Sequence, residues 1–302
     1  MSTSRLAIVE APTNLGLRPP APGVAPGVYK LPWALREAGL LRRLPAVDRG
    51  VVVPPRYRGE WDGRSVRNEA ALQRYSGALA ARLTATLDAG EAPLVVGGDC
   101  SVLLGVALAL RRRGRHGLVF VDGHSDFRHP ANSEAVQAAA GEDLALVTGR
   151  GAATLADIDG LGPYVDDRDV FLVGVRGDDA HLPELRELGV AGLEAAEVRR
   201  LSAARAAERA LAHVHAAGPE SFWVHLDADV VDPSVLPAVD APAPGGLWPD
   251  ELTELIRSLA AADGFLGMDV TILDPDLDES GEQAAVLTDI LVRGLEGRFS
   301  GA

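Results

Sequence analysis

Two short segments of the 302-residue sequence carry a high density of side chains that can bind metal ions. They are Asp122-Gly-His124-Ser-Asp126 and Asp227-Ala-Asp229, and each follows an apolar run. In an extended chain, residues two apart lie on the same face, so the alternate side chains of each segment can converge on one point. Crowded buried acids repel one another, and a cation relieves that repulsion. The spacing therefore predicts a metal site.

The ligand types indicate which chemistry such a site would perform. Carboxylate oxygens with one imidazole suit manganese or a similar divalent ion better than copper. Five such side chains are more than one ion needs, and two ions about 3.5–4 Å apart would turn a shared water into hydroxide at neutral pH. Asp-x-Asp alone is also common at turns and helix caps. The prediction therefore depends on both segments together, with Gly97-Gly-Asp99-Cys100-Ser upstream.

Three residues beside these segments are expected to have structural roles. Asp99 precedes a predicted helix, and an acid at that position typically bonds to free backbone N–H groups. Asp232 precedes a proline, which favours a turn. His225 shares a strand face with Asp227 but lies deeper, where a core histidine is favoured over a functional one.

Alternating elements must position these side chains. Runs rich in Val, Ile and Leu are predicted strands, over 6–9, 51–53, 94–96, 118–121, 170–175, 222–226 and 265–272. Amphipathic stretches are predicted helices, over 31–41, 67–89, 102–113, 181–188, 203–217, 249–262 and 282–295. Strands apolar on both faces and separated by helices indicate a mainly parallel sheet in a three-layer α/β/α fold, with ligands at the carboxyl ends of the strands. No composition break or repeat divides the chain, so we expect one domain over 1–302 that frays after Gly297.

Composition excludes several classes of protein. Lys plus Arg number 29 against 43 Asp plus Glu, a net charge of −14, which disfavours nucleic acid and anionic membranes as partners. Lys30 is the only lysine, so no phosphate loop ending in lysine exists. Cys100 is the only cysteine, which rules out an intrachain disulfide and Cys-rich clusters and fits a cytoplasmic location. The weakly charged stretch 92–110 contains Asp99, so a strand and a helix explain it better than a membrane span.

The motifs resemble those of the arginase (ureohydrolase) family, which includes agmatinase and formimidoylglutamase. The resemblance follows the chain in order: Gly-Gly-Asp-x-Ser at 97–101, Asp-x-His-x-Asp at 122–126, Gly-Val-Arg at 174–176, His-x-Asp-x-Asp at 225–229, Pro-Gly-Gly-Leu at 244–247 and Met-Asp at 268–269. It implies the α/β/α fold, a binuclear manganese centre, hydrolysis of a guanidino or formimino carbon, and a homo-oligomer, either trimer or hexamer.

The resemblance also assigns roles to the ligands. Asp122 and Asp227 correspond to carboxylates that bridge both ions, Asp126 to a ligand of the first ion, and His124 and Asp229 to ligands of the second. Asp229 is in addition the candidate proton carrier of the reaction.

Cys100 departs from the family pattern, because most members have a histidine ligand of the first ion there. A thiolate can bind a metal, and it would favour zinc or iron over manganese. Alternatively, Cys100 is only a small buried residue that binds no metal, and the first ion is weakly bound or absent.

The residues at the substrate-binding positions also depart from the family pattern. The glutamate that holds the substrate guanidinium in the family is replaced by Ile272, for which Asp240 and Asp274 are possible substitutes. Arg128 follows Asp126 as it does in formimidoylglutamase, and a guanidinium pairs bidentately with a carboxylate, so Arg128 indicates an acidic substrate end. Asp179 falls where arginase-like enzymes contact a substrate amino group. Arg128 and Asp179 could equally be solvated surface residues.

The histidine often described as a proton shuttle is replaced by Ala140, and His129 or His181 are candidates for that role.

Together the changes predict a metal-dependent hydrolase of a non-peptide C–N bond in a linear amidine, with a metal-bridged hydroxide as nucleophile. Substituted guanidino or formimino compounds are the expected substrates, and free arginine is disfavoured. One alternative is a catalytically degenerate member that acts as a binding or oligomeric partner subunit, and another uses Cys100 as a nucleophile.

Overall fold

The computed structural model describes residues 4–134 and 136–299. In these residues eight strands are formed: β1 Arg5–Ala11, β2 Ala46–Val51, β3 Glu91–Gly97, β4 Gly117–Val121, β5 Val170–Val173, β6 Ala191–Leu193, β7 Phe222–Asp227 and β8 Phe265–Thr271. The α-helices are α1 Leu31–Glu37, α2 Leu40–Arg43, α3 Glu69–Asp88, α4 Val102–Arg111, α5 Asp143–Val147, α6 Ala153–Ala156, α7 Leu182–Glu187, α8 Ala195–Leu201, α9 Ala203–Ala217, α10 Pro249–Ala261 and α11 Glu282–Phe299.

All strands belong to one parallel sheet with the order β2-β1-β3-β8-β7-β4-β5-β6. Alternate residues of the central strands enter two separate cores. On β3, Leu94 and Val96 pack on the side of α1, α9, α10 and α11, whereas Val95 packs on the side of α3 and α4. The predicted three-layer α/β/α arrangement is confirmed, and burial on both faces explains why the central strands are apolar throughout.

The edge strands differ from the predictions. The strand predicted over 51–53 is Ala46–Val51, and the two overlap only at Val51. Strand β2 has a single neighbour and is half-exposed, so its sequence carries no apolar run. Strand β6 was not predicted, because three residues including a glycine give no periodic signal.

Two helical predictions also need correction. The helix predicted over 31–41 is divided into α1 and α2 at Gly39, whose φ of +95° cannot continue a right-handed helix. Helix α11 continues past Gly297 to Phe299, whose ring is fully buried, so the expected fraying does not begin there. Residues 300–302 lie outside the described residues.

Candidate metal centre

The predicted ligands meet at the carboxyl edge of four adjacent strands, β3, β8, β7 and β4. Cys100 follows β3, Asp122 follows β4, and Asp227 ends β7. After β3 the chain crosses over β8 and β7 before it returns as β4, and such a change in strand order leaves a crevice at the carboxyl edge of an open sheet. The fold therefore places the ligands where α/β proteins bind their substrates.

One group of ligands consists of Asp122, His124 and Asp229, whose ligand atoms lie within 4.8 Å of one another. His124 Nδ1 is 2.9 Å from Asp229 Oδ2, and the backbone N–H of Gly123 donates to Asp229 Oδ1 at 3.0 Å. The backbone N–H of His124 donates to Asp122 Oδ1 at 2.6 Å. These bonds orient the three side chains toward one point. The alternate spacing predicts that Asp122, His124 and Asp126 converge, but Asp126, whose φ is +43°, belongs to the other group because the chain is not extended there.

A second group consists of Cys100, Asp126 and Asp227, again within 4.8 Å. The thiol of Cys100 donates to Asp227 Oδ2 at 2.9 Å and lies 3.0 Å from Thr271 Oγ1 on β8. Burial, and then the charge of Asp227, raise the pKa of the Cys100 thiol well above its ordinary value. All six predicted metal ligands thus belong to two neighbouring groups.

The carboxyl groups of Asp122, Asp126 and Asp227 have raised pKa values. Burial raises the pKa of Asp122 and Asp227 well above the ordinary range, and the neighbouring carboxylates raise it further. Burial likewise raises the pKa of Asp126 to about 7. The hydrogen bond to Asp229 raises the pKa of His124 to about 9. Perturbed groups of this kind at the base of a cleft are typical of functional sites.

The donor set fits divalent cations. Asp122 Oδ2 is buried and has no hydrogen-bond partner in the described residues, and a cation would satisfy it. The group of Asp122, His124 and Asp229 offers carboxylates and one imidazole, which suits manganese. The group that contains Cys100 adds a softer sulfur ligand, which suits zinc or iron.

The neighbouring acids have the predicted structural roles. The buried carboxylate of Asp99 accepts hydrogen bonds from the backbone N–H groups of Ser101 at 2.9 Å and Gly16 at 3.2 Å. Asp232 accepts from Ser234 and from the backbone of Gly245 and Gly246, which closes a turn. Neither acid belongs to a group of potential metal ligands in the described residues.

The Gly-Val-Arg motif holds the end of β7. The buried guanidinium of Arg176 donates to the backbone carbonyl of Asp229 at 3.0 Å and to that of Ala243 at 2.8 Å. Arg176 therefore positions the loop that carries Asp229.

A cavity of about 490 Å³ opens above Asp227 and Asp229. The other predicted substrate and catalytic residues that line it are Arg128, Asp179, His181 and Asp240. Ala140 and Ile272, at the positions where the resemblance leads us to expect a histidine and a glutamate, line it too. Ile272 is buried at a φ of +76°, a conformation that is strained for a β-branched residue. Its backbone N–H donates to the Gly98 carbonyl at 2.8 Å, which fixes the apolar side chain in the wall.

Asp179 and Asp274 make contacts within the protein. The carboxylate of Asp179 accepts from the Ser125 backbone N–H and hydroxyl at 2.9 and 2.8 Å, so it supports the loop after β4 as well as lining the cavity. Asp274 does not line the cavity, because its carboxylate accepts from the backbone N–H groups of Gly27 and Asp276 at 2.9 Å. Asp274 is therefore not a substitute for the family glutamate, whereas Asp240 at the exposed rim keeps that possibility.

The catalytic role predicted for His129 is not supported by its position. The side chain is buried, its Nε2 lies 3.1 Å from Glu184 Oε1, and its Nδ1 accepts from the backbone N–H of Ala131. It is not among the residues that line the cavity. The chain turns away from the sheet edge after Arg128, and His129 packs against α7 instead. Of the two histidines considered, only His181 reaches the cavity.

Sequence reasoning missed two residues at the site. Asp143 is fully buried beside Cys100, and the only signal for it was an acid at the start of the apolar stretch 143–147. Arg18 lines the cavity next to Arg128, and it comes from a Pro-rich loop without periodicity.

Glycine 98 allows the Cys100 loop to pack against the loop after β1, because a Cβ there would lie 1.6 Å from the Thr13 carbonyl oxygen. We expect Gly98→Ala to destabilise the protein by about 1–3 kcal/mol, the usual cost of overpacking, and to weaken metal binding. Denaturant unfolding checks the first effect. Gly77→Ala on α3, where a Cβ meets open space, is the control and is expected to stabilise the protein by about 0.5–1 kcal/mol. Equal stability of the two variants would contradict the expectation.

In the part of the chain that the structure describes, no helix is both long and apolar enough to cross a membrane.

Comparisons with known proteins agree with the motifs. The family model described as the arginase family matches residues 7–295. The arginase of Bacillus caldovelox is 29% identical over 291 residues, which is 93% of this chain and 94% of that protein. Its native crystal structure superposes with a TM-score of 0.84 and covers 97% of this chain and 98% of its own. Formimidoylglutamase from Bacillus subtilis shares the fold, with a TM-score of 0.77 at 18% identity over 98% of this chain and 88% of its own.

Proposed function

The chain belongs to the arginase family of hydrolases, and on that premise we propose that it hydrolyses a non-peptide C–N bond in a linear amidine. The observation that carries the proposal is the pair of ligand groups at the base of the cavity. Asp227 and Asp229 line the same cavity as Arg128, so a substrate held there would have its reacting carbon beside the metal centre.

The proposed reaction uses two divalent ions per chain, which when bound lower the pKa of a shared water so that hydroxide is the nucleophile at neutral pH. Asp122 and Asp227 would bridge the ions, with Cys100 and Asp126 on one side and His124 and Asp229 on the other. Asp229 has the further role of proton carrier. Its Oδ2 lies 2.9 Å from His124 Nδ1, which fixes the carboxylate at the floor of the cavity.

The cavity wall favours a substrate with an acidic end. Arg18 and Arg128 both line it, and in the described residues neither guanidinium has a carboxylate within 4.0 Å. The pKa of Arg18 is lowered by burial and then by the positive charge of Arg128, so the two cations lie close together. A substrate carboxylate would relieve that repulsion and accept several charge-assisted hydrogen bonds.

The apolar part of the cavity wall disfavours a free guanidinium. Ile272 presents an apolar side chain, and a buried charge without a polar partner costs several kcal/mol. A formimino group has fewer N–H groups than a guanidinium, and an N-substituent replaces one of them, so fewer donors are left without a polar partner beside Ile272. We therefore place formimino and N-substituted guanidino acids ahead of free arginine as substrates.

The proposed function also implies a metal cofactor, an oligomeric state and a cellular location. Manganese is the expected metal, with zinc or iron as alternatives at the ion that contacts Cys100. A homo-oligomer, trimer or hexamer, is expected from family membership, and light scattering during gel filtration measures it. A cytoplasmic location is supported by the single cysteine.

Turnover of a substrate panel tests the function. The panel contains formimino acids, N-substituted guanidino acids, agmatine and arginine, assayed with protein loaded separately with manganese, zinc and iron(II). We expect turnover of an acid-ended amidine and weak or no turnover of arginine. Fully loaded protein that hydrolyses no member of the panel would support the degenerate alternative, in which the cavity only binds.

Arg128→Met removes the guanidinium and keeps an apolar stem of similar length. Loss of a charge-assisted hydrogen bond costs about 1.5–3 kcal/mol, so KM for an acid-ended substrate is expected to rise about 10–100-fold. The KM of the matching carboxamide analogue should stay the same, which separates charge recognition from a packing effect. The control is Arg64→Met, an exposed arginine outside the cavity. An equal rise in KM for acid and amide would count against the assigned role.

A further inference from the structure

Beneath the two ligand groups lies a third one, formed by Cys100, Asp143 and His225. All three residues are fully buried, and their ligand atoms lie within 4.8 Å of one another. Asp143 and His225 are absent from the ligand set that the family resemblance implies. Two atoms of this group, Asp143 Oδ2 and His225 Nε2, are buried and have no hydrogen-bond partner in the described residues, and unsatisfied buried polar groups are costly.

His225 is held in a fixed orientation. Its Nδ1 lies 2.5 Å from Asp269 Oδ2 on the neighbouring strand β8, and Trp223 Nε1 donates to Asp269 Oδ1 at 2.6 Å. The imidazole also stacks on Phe120 with a centroid distance of 4.7 Å. Nε2 is left pointing toward Cys100 and Asp143, and it has no hydrogen-bond partner in the described residues. A carboxylate that fixes the tautomer of a histidine is the usual arrangement behind a metal-binding imidazole.

Asp143 also has a carboxylate oxygen that lies close to Cys100 and His225 and has no hydrogen-bond partner in the described residues. Its Oδ1 accepts from the backbone N–H of Leu144 at 2.7 Å, and its Oδ2 lacks a partner in the described part of the chain. Asp143 Oδ2 is 3.7 Å from His225 Nε2, which is too long for a hydrogen bond. A separation of this size is suitable for two ligands of one ion, because each would lie about 2 Å from a zinc ion between them.

We infer that Cys100, Asp143 and His225 form a buried site for a zinc-like ion, with Asp269 as the residue that orients His225. Binding replaces the thiol proton of Cys100, which leaves to solvent, and His225 keeps its proton on Nδ1 toward Asp269. A ligand set that combines a sulfur, a nitrogen and an oxygen atom favours zinc over manganese. The ion that contacts Cys100 would then lie deeper than the carboxylates alone would place it.

The competing arrangement is the one given above for the proposed function, in which the same thiolate acts with Asp126 and Asp227, and the inference revises that assignment of Cys100, which belongs to both groups. The two arrangements share Cys100 and differ in their other ligands. Asp143 and His225 are ligands only in the inferred arrangement, and Asp126 is a ligand only in the competing one.

Cobalt(II) is the probe that distinguishes them, because thiolate coordination gives a near-ultraviolet charge-transfer band that needs no substrate. Metal-free full-length protein is titrated with cobalt(II), and zinc is then added to displace it. We expect a thiolate band in the wild-type protein, its loss in Cys100→Ser, and its displacement by zinc. Asp143→Asn and His225→Asn should each weaken cobalt binding at least about tenfold, and Asp269→Asn by about 10–100-fold.

Matched variants separate coordination from folding. Asp126→Asn is expected to retain the band, as is His213→Asn, which removes an imidazole that packs on Phe171 away from the site. Circular dichroism of the metal-free proteins checks the fold, and Asp143→Asn is the decisive variant because it preserves side-chain shape. Asp143→Cys adds a second thiolate and should intensify the band.

Either of two results would overturn the inference. One is a band whose affinity is unchanged in Asp143→Asn and His225→Asn but reduced in Asp126→Asn. The other is no thiolate band in folded wild-type protein. Turnover is measured separately, so an inactive protein with the expected band would contradict the proposed function and leave the site intact.

Discussion

Replacing Asp122 by asparagine is expected to lower turnover by at least about 10²–10³-fold, comparable to the loss of one preorganised electrostatic group in an active site. Asp122 is fully buried, its Oδ1 accepts from the His124 backbone, and its Oδ2 has no partner in the described residues. Asparagine has the same shape but no charge. One of its two terminal atoms cannot bind a cation, so both ions would lose a shared ligand.

Two measurements distinguish this result from unfolding. Metal content should fall below two ions per chain, whereas the thermal stability of the metal-free variant should equal or exceed that of the wild type because carboxylate repulsion is reduced. Asp178→Asn, at an exposed acid outside the cavity, is the matched control and should keep its turnover. An Asp122→Asn variant with two ions and normal turnover would exclude Asp122 as a bridging ligand.

The metal-free protein is expected to have a lower free energy of unfolding at pH 8 than at pH 5. Burial raises the pKa of Asp126 to about 7 and those of Asp122 and Asp227 well above their ordinary value. A carboxyl whose pKa is raised on folding contributes stability below its unfolded pKa, near 3.9, and that stability is lost as the pH rises through the folded pKa. The loss for Asp126 thus falls between about pH 4 and pH 7.

Added metal should reverse this trend. A cation replaces the protons that the acids lose, so stabilisation by zinc or manganese should be larger at pH 8 than at pH 5, and about 4 kcal/mol where the free metal is 1,000 times Kd. Urea unfolding at both pH values, with chelator or with metal, measures it. Asp126→Asn should flatten the dependence in chelator, and Asp178→Asn should not. Metal-free protein that gains stability from pH 5 to pH 8 would contradict the expectation.

The fold and most ligands could be predicted because they depend on local patterns. Strand β3 is apolar on both faces, which indicates a central parallel strand before any neighbour is known. The alternate spacing of Asp122, His124 and Asp126 places three side chains at one strand end, and parallel strands bring Asp227 to the same edge. These features follow from the period of a strand and from the sheet's common direction.

The surroundings of those ligands could not be predicted, because they depend on contacts between distant segments. Cys100 and Asp227 are 127 residues apart, and His225 meets Asp269 only because β7 pairs with β8 in one register. The path of the chain after Arg128 directs His129 to α7 instead of the cavity. No local pattern encodes these contacts.

The type of sheet, its carboxyl edge and the ligands on that edge could be read from the amino-acid pattern, since each depends on periodicity within a few residues. The convergence of Asp143 and His225 on Cys100, and the position of Arg18 beside Arg128 at the cavity, became known only from the folded arrangement. These contacts depend on the strand order and on loop packing, which leave no period in the sequence.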